Sequence, residues 1–179
     1  MSKRAAKKNI AIDDSAKSDK QSPDTQTPSP VKSGWAGYLR VEVVFWETAD
    51  VKAIRLVTES GDGELPFTYL PGQFMNAAFW IGGVRMIRSY SISSSPTHRN
   101  HLDLTVRREP RGAVSRHIGD VLKPGDYVEA GGPVGTFTFT GNEAESIVLI
   151  SAGVGVTPML SIARYLTETS WPGDIYFLF

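Results

Sequence analysis

A cation, an aromatic ring and two hydroxyls stand together at Arg88-Ser89-Tyr90-Ser91, between a strand-like run, Val84-Arg85-Met86-Ile87, and a polar one, Ile92-Ser93-Ser94-Ser95-Pro96. On a strand, the Arg, the ring and the hydroxyl are expected to point to one side. Such a face suits a planar, anionic ligand. Arg88 would bond a phosphate, Tyr90 would pack on a ring, and Ser91 or its backbone would meet a ring heteroatom. Taken alone, the same residues also describe an edge strand carrying a solvated Arg.

Two glycine-bearing segments add to this. Gly112-Ala113-Val114-Ser115 could open a short helix whose buried face holds Val114, Ile118 and Val121. Backbone N–H groups at such an opening form a natural phosphate cradle. Further on, Gly153-Val154-Gly155-Val156-Thr157-Pro158 joins an apolar strand to a helical pattern. Thr157 reads as the N-cap and Pro158 as the first helical residue, where a missing N–H is harmless. A tight strand-to-helix turn with no ligand fits that loop equally. Its last position is Pro158, so it is not the G-x-G-x-x-G dinucleotide fingerprint.

Other chemistries lack their residues. The chain of 179 residues contains no Cys, which removes disulfides, a thiolate nucleophile and cysteine ligands for zinc or iron–sulfur. His98, His101 and His117 lie in polar or loop-like settings without metal-ligand spacing, so no metal site is expected. Formal charge sums to zero, but residues 1–34 hold seven Lys/Arg against four Asp/Glu, and the remainder twelve against fifteen. A mildly acidic body has no general attraction for nucleic acid. No apolar run suits a membrane span or a signal peptide, which points to the cytoplasm.

The elements that must position these residues follow from patterning. Residues 1–34 are rich in Lys, Ser, Asp and Pro without apolar periodicity, and are expected to be a disordered tail. Alternation then predicts strands over 38–47 (Leu39, Val41, Val43 and Phe45 inward), 51–58 and 102–106, and the turns between them predict strands over 74–81 and 84–92. Gly82-Gly83 is a hairpin turn and Pro71-Gly72 a tight one. A strand at 127–130 precedes a Gly/Pro corner, Gly131 to Phe137, leading into another strand. Closely spaced strands joined by Gly/Pro turns indicate an antiparallel barrel. At Ser146 the code changes. Ile147 to Ile150 is continuously apolar, as a parallel strand covered on both faces is. A helix with Met159, Ile162, Ala163 and Leu166 inward and a second buried strand over 175–179 complete one β-α-β unit. So small a parallel unit suggests a fragment, or a sheet that a partner completes.

The order of these pieces resembles the ferredoxin–NADP reductase superfamily, in particular bacterial oxygenase reductases and the reductase module of flavohaemoglobins. The resemblance covers about residues 37–179. It rests on Pro71-Gly72-Gln73-Phe74, Arg88-Ser89-Tyr90-Ser91, Val106-Arg107 with Gly112 and Ser115, Gly132-Pro133-Val134-Gly135-Thr136-Phe137, and the Gly153 to Pro158 loop. It implies a six-stranded, Greek-key-like flavin-binding barrel over residues 35–141 and the beginning of an NAD(P)-binding α/β domain over 142–179, truncated at its C-terminal side. FAD is the implied cofactor, ahead of FMN, with NAD(P)H as substrate. In this likeness Arg88, with Ser89 beside it, contacts the flavin diphosphate, Tyr90 packs on the isoalloxazine and Ser91 lies near its N5. Val106 and Arg107 line the pyrimidine side. Gly112, Ala113, Val114 and Ser115 cradle the pyrophosphate. Gly153, Gly155, Thr157 and Pro158 form the floor for the nicotinamide. The implied activity moves hydride from NAD(P)H to FAD and electrons onward to an iron–sulfur protein, a haem or an oxygenase, as a partner or a fused domain. The alternative is a flavin-holding electron-transfer subunit without nicotinamide chemistry of its own, completed by a partner chain.

Overall fold

The computed structural model describes residues 34–179; the expected disorder of the basic leader falls almost wholly outside them. Six antiparallel strands form one curled sheet: β1 (Trp35–Trp46), β2 (Val51–Val57), β3 (Phe74–Ile81), β4 (Val84–Ser91), β5 (Leu102–Arg107) and β6 (Tyr127–Val134). Their order is β4-β3-β6-β1-β2-β5. Past the end of β4, Ile92 bridges Leu104, and the Ser93 N–H donates to Asp103 O at 2.8 Å. That seam joins the two outer strands at one end and makes the curled sheet barrel-like.

The interior is apolar because alternate residues of the strands converge on it. Leu39, Val41, Ile54, Leu56, Met75, Ile92, Leu102, Leu104 and Val128 are fully buried. β1 departs from simple alternation. Its pairing with β2 shifts between Val41 and Val43. A bulge of this kind turns the following side chains to the other face. Val43 and Phe45, expected inside, are therefore exposed, and Val44 packs on the core instead.

One helix, α1 (Ala113–Asp120), lies between β5 and β6 and caps the core with Val114 and Ile118. Val121, expected on that face, is exposed; Leu122 is buried in its place. The helix ends before Val121, so the 3.6-residue period no longer places it. β6 runs further than expected. Gly131 pairs with both Ala36 and Asn76, so the presumed corner is strand as far as Val134. No strand follows it: residues 135–145 are irregular. Gln73 holds this stretch to the barrel, accepting from Leu70 N–H at 2.9 Å and donating to Gly135 O at 3.0 Å.

β7 (Ser146–Ile150) and β8 (Asp174–Leu178) pair in parallel, linked by α2 (Val156–Glu168). Ile162 and Leu166 of α2 pack on Leu149, with Phe139, Ile147 and Trp171 around them. The sequence predicts cover on both sheet faces. Among the described residues only the α2 side is covered; Val148, Ile150, Tyr176 and Leu178 are exposed.

Candidate functional site

A cleft of about 500 Å³ opens between the barrel edge and the loop after β7. That is within the usual size of a small-molecule or cofactor site. Arg88, Ser89, Tyr90 and Ser91 form one wall, Val106 and Arg107 another, Gly112 to Ser115 a third, and Val154, Gly155, Thr157 and Pro158 the far side. Four segments far apart in sequence thus meet at one place. Of the residues singled out from sequence, only Gly153 lies off this cleft, on a neighbouring one.

The β4 wall follows from strand geometry. Tyr90 packs against the barrel core, as does Met86, so Arg88 between them shares their face. Arg88 is exposed at the barrel edge, and its Nη1 donates only to the adjacent Ile87 O at 2.7 Å. Among the described residues no carboxylate pairs with it. The guanidinium therefore has donors to spare. Burial raises the Tyr90 phenol above its ordinary value, against the opposing pull of Arg88, so it is neutral at physiological pH. Ser91 does not share the inner face as expected. It sits half a period from Tyr90, with Ser89, whose Oγ donates to Asn76 Oδ1 at 2.7 Å. Ser91 still borders the cleft because β4 ends there.

The α1 wall offers backbone. Gly112 is the N-cap and has no capping side chain. The first-turn N–H groups of Ala113, Val114 and Ser115 have no intrahelical acceptor, as in any α-helix. The Val114 side chain is buried in the core, and Ser115 Oγ is occupied, accepting from Glu109 N–H at 3.1 Å and donating to Gly112 O at 3.3 Å. What these residues can give a ligand is amide hydrogens. Val106 is likewise a core residue, leaving its backbone to the cleft. Arg107 is not a free cation: its Nε donates to Asp50 Oδ2 at 2.7 Å. This hydrogen bond, then one from Thr48, holds the Asp50 carboxyl below the usual carboxylate range.

The far wall corrects the expected cap. A 3₁₀ turn, Gly153–Gly155, runs directly into α2; the N-cap is Gly155 and the helix begins at Val156. Thr157 is buried, and its Oγ1 donates back to Val154 O at 3.0 Å rather than capping. Pro158 falls at the third helical position, where an N–H would also lack an intrahelical acceptor. Gly153 has φ +54°, a left-handed conformation that favours glycine. A Cβ built on Gly155 would meet no atom within 4 Å, so the loop leaves open space beside the cleft. Thr105, Glu109 and Val154 also line the cleft and were not anticipated. Val154 lay within a recognised loop; the other two carry no signal in sequence. No group of three or more potential metal ligands occurs among the described residues. No helix there is long and apolar enough to cross a membrane.

A barrel whose edge strand, helix opening and glycine loop surround one cleft defines a flavin-reductase type of architecture. Residues 39–139 match the family described as the oxidoreductase FAD-binding domain, and the chain belongs to that family. It is 36% identical over 140 residues to the glycine betaine monooxygenase reductase subunit of Pseudomonas aeruginosa, covering 78% of this chain and 37% of that protein. It is 34% identical over 141 residues to a flavohemoprotein of Bordetella pertussis, covering 75% and 35%. Among solved structures it resembles the FAD/NAD-binding domain of nitric oxide dioxygenase from Vibrio cholerae, with TM-score 0.70 and 32% identity over 78% of this chain and 61% of that one. Phthalate dioxygenase reductase gives TM-score 0.69 and 28% identity, over 79% and 43%. The chain thus spans little more than a third of the length of the two reductase and flavohemoprotein relatives.

Proposed function

We propose that the chain holds FAD in this cleft as the flavin module of an NAD(P)H-dependent oxidoreductase that serves an iron–sulfur, haem or oxygenase acceptor. The carrying observation is the convergence of Arg88, Tyr90, the α1 opening and the Val154 to Pro158 loop on one cleft. These residues fit the group. A guanidinium with no carboxylate partner among the described residues, and three first-turn amides, suit a diphosphate. A half-buried neutral phenol suits a flat ring. Bound there, FAD supplies the hydride and single-electron chemistry. Arg88 and the α1 amides would hold its phosphates, Tyr90 would fix the plane of its ring, and Ser91 would border the ring edge. The Gly155 to Pro158 wall would leave room for a nicotinamide. The resemblance to solved reductases and the family match support the same reading.

The test is the visible absorption of the purified chain, with the released chromophore identified by mass. A yellow protein releasing FAD is expected. A folded, colourless protein that rejects added FAD and FMN overturns the proposal. FMN alone would replace the assigned cofactor.

A further inference from the structure

The serine run Ser93-Ser94-Ser95 follows the flavin-wall tetrad directly, yet it does not line the cleft. It is nonetheless among the most completely buried polar stretches of the chain, each residue at 2% exposure or less. Every one of these serines is bonded. Ser93 Oγ donates to Asp103 O at 3.1 Å, and Ser94 Oγ accepts from Asp103 N–H at 2.9 Å. The Tyr69 hydroxyl lies 2.9 Å from Ser94 Oγ and donates to Ser95 O at 2.9 Å. These bonds tie the run to the barrel seam.

From the other side, α2 takes hold of the same run. Ser161 Oγ donates to Ser94 O at 2.7 Å, and Arg164 Nη1 donates to Ser93 O at 2.7 Å. Glu168, further along that helix, accepts from Thr97 and lies 3.4 Å from His98 Nε2. Residues 161, 164 and 168 are spaced to share one helix face. The first turn of the same helix carries Thr157 and Pro158, which form the wall opposite Arg88 and Tyr90. One turn of rigid helix, about 5.4 Å, separates that wall from Ser161. Only two residues separate Ser91 from Ser94.

We propose that Arg164 and Ser161 are positioning residues: by gripping the Ser93 and Ser94 carbonyls they set the distance between the nucleotide-loop wall and the flavin wall. The inference rests on the proposed function only for its consequence, the approach of a nicotinamide to a flavin. The grip itself is independent of any ligand. The bond to Ser94 O is buried, so its loss leaves an acceptor unpaired, whereas the bond to Ser93 O is part-buried at the edge of a second cleft that Arg164 also lines. Neither side chain lines the cleft, though Arg164 lines the adjoining one, which shares Arg107 and Thr157 with it.

The experiment compares wild type with Arg164→Ala, Arg164→Lys and Ser161→Ala in the full chain. It follows amide hydrogen exchange by mass spectrometry, FAD affinity by fluorescence, and the visible circular dichroism of bound FAD. Arg164→Ala is expected to speed exchange over residues 153–162 and 93–98 by about tenfold or more, the size associated with losing a charge-assisted hydrogen bond, and Ser161→Ala by about two- to tenfold, the size for a neutral one. They are expected to change the flavin dichroism while leaving FAD affinity within about threefold, well inside the loss of one such bond. Arg164→Lys is expected to restore most of both effects, because an ammonium can still reach a carbonyl. A purely structural role would not give lysine rescue together with an altered flavin spectrum. Unchanged exchange in both alanine variants overturns the grip. Altered exchange with unchanged dichroism overturns its link to the cleft. If wild type binds no flavin, the proposed function fails, while exchange still decides the grip.

Discussion

Replacing Arg88 with Ala separates binding from folding. The side chain is exposed and, among the described residues, bonds only its neighbour Ile87. Its removal leaves no buried group unpaired, so the stability change is expected within about 0.5 kcal/mol. For a chain of this size that is a melting shift of about 2 °C or less. Binding is different. A hydrogen bond to a charged group contributes about 1.5–3 kcal/mol, and each 1.4 kcal/mol is about tenfold in affinity. Loss of one or two bonds to phosphate therefore raises the FAD dissociation constant about 10- to 100-fold or more. Titration of apoprotein, followed by the change in flavin fluorescence, measures it. Arg88→Lys keeps the charge but not the fork, so it is expected to fall between the two. Because the group is solvated, the difference between wild type and Arg88→Ala is expected to shrink in high salt. An unchanged dissociation constant in a folded Arg88→Ala protein refutes the phosphate assignment. A large drop in melting temperature refutes the structural half of the reasoning.

Three further outcomes follow from packing and charge. Gly72 has φ +98°, and a Cβ there would lie 2.3 Å from Phe137 O; strain and clash together, about 2–5 kcal/mol, are expected to lower the melting temperature of Gly72→Ala by about 5–15 °C. Burial opposes ionisation of Glu168, but hydrogen bonds from Thr97 and Ser95 and the nearby His98 outweigh it and hold the carboxyl below its usual range. Its contribution is complete above the unfolded value near about 4.3 and is lost as pH falls through the lower folded value, so acid denaturation curves of wild type and Glu168→Gln should converge there. Burial lowers the Lys52 ammonium, against a smaller upward pull from Asp120. The unfolded chain then binds more protons between the folded value and about 10.4, so wild type gains stability with rising pH across that window and Lys52→Met does not.

Much of this architecture is legible in the sequence because strands and turns are written locally. Phe74–Ile81 and Val84–Ser91 follow from the turns at Pro71-Gly72 and Gly82-Gly83, and β7-α2-β8 from a change of period at Ser146. The failures are at places where tertiary pairing overrides the local pattern. The bulge after Val41 is set by pairing with β2, which inverts Val43 and Phe45 without any Gly or Pro to announce it. Gly131 and Gly132 resemble a corner but serve as strand, since β1 and β3 supply partners on both sides. Thr157 has a capping side chain, yet the 3₁₀ turn before it moves the helix start to Val156. The cleft was legible as motifs. Its supports were not: Asp50 meets Arg107 across 57 positions and Ser161 meets Ser94 across 67.

The titratable groups of the cleft bear on the type of chemistry it can perform. Acid–base catalysis near neutrality needs a group whose pKa is brought close to the working pH. Tyr90 moves the other way, up from the ordinary phenol value because it is buried. Arg107 also moves up, through its hydrogen bond to Asp50, so it is a permanent cation. Among the described residues Arg88 has no base paired with it, and no histidine lines the cleft. Asp50, on the adjoining cleft, is held ionised at neutrality and gives an oxygen to Arg107. A site so arranged has fixed charges, a flat neutral ring, open backbone amides and one carboxylate, Glu109, on its lining. Hydride and electron transfer make few other demands than orientation and contact between bound rings. The rate would then depend on how accurately two walls from different packing units are held, and the bonds from Ser161 and Arg164 to the serine run are placed where that spacing is decided.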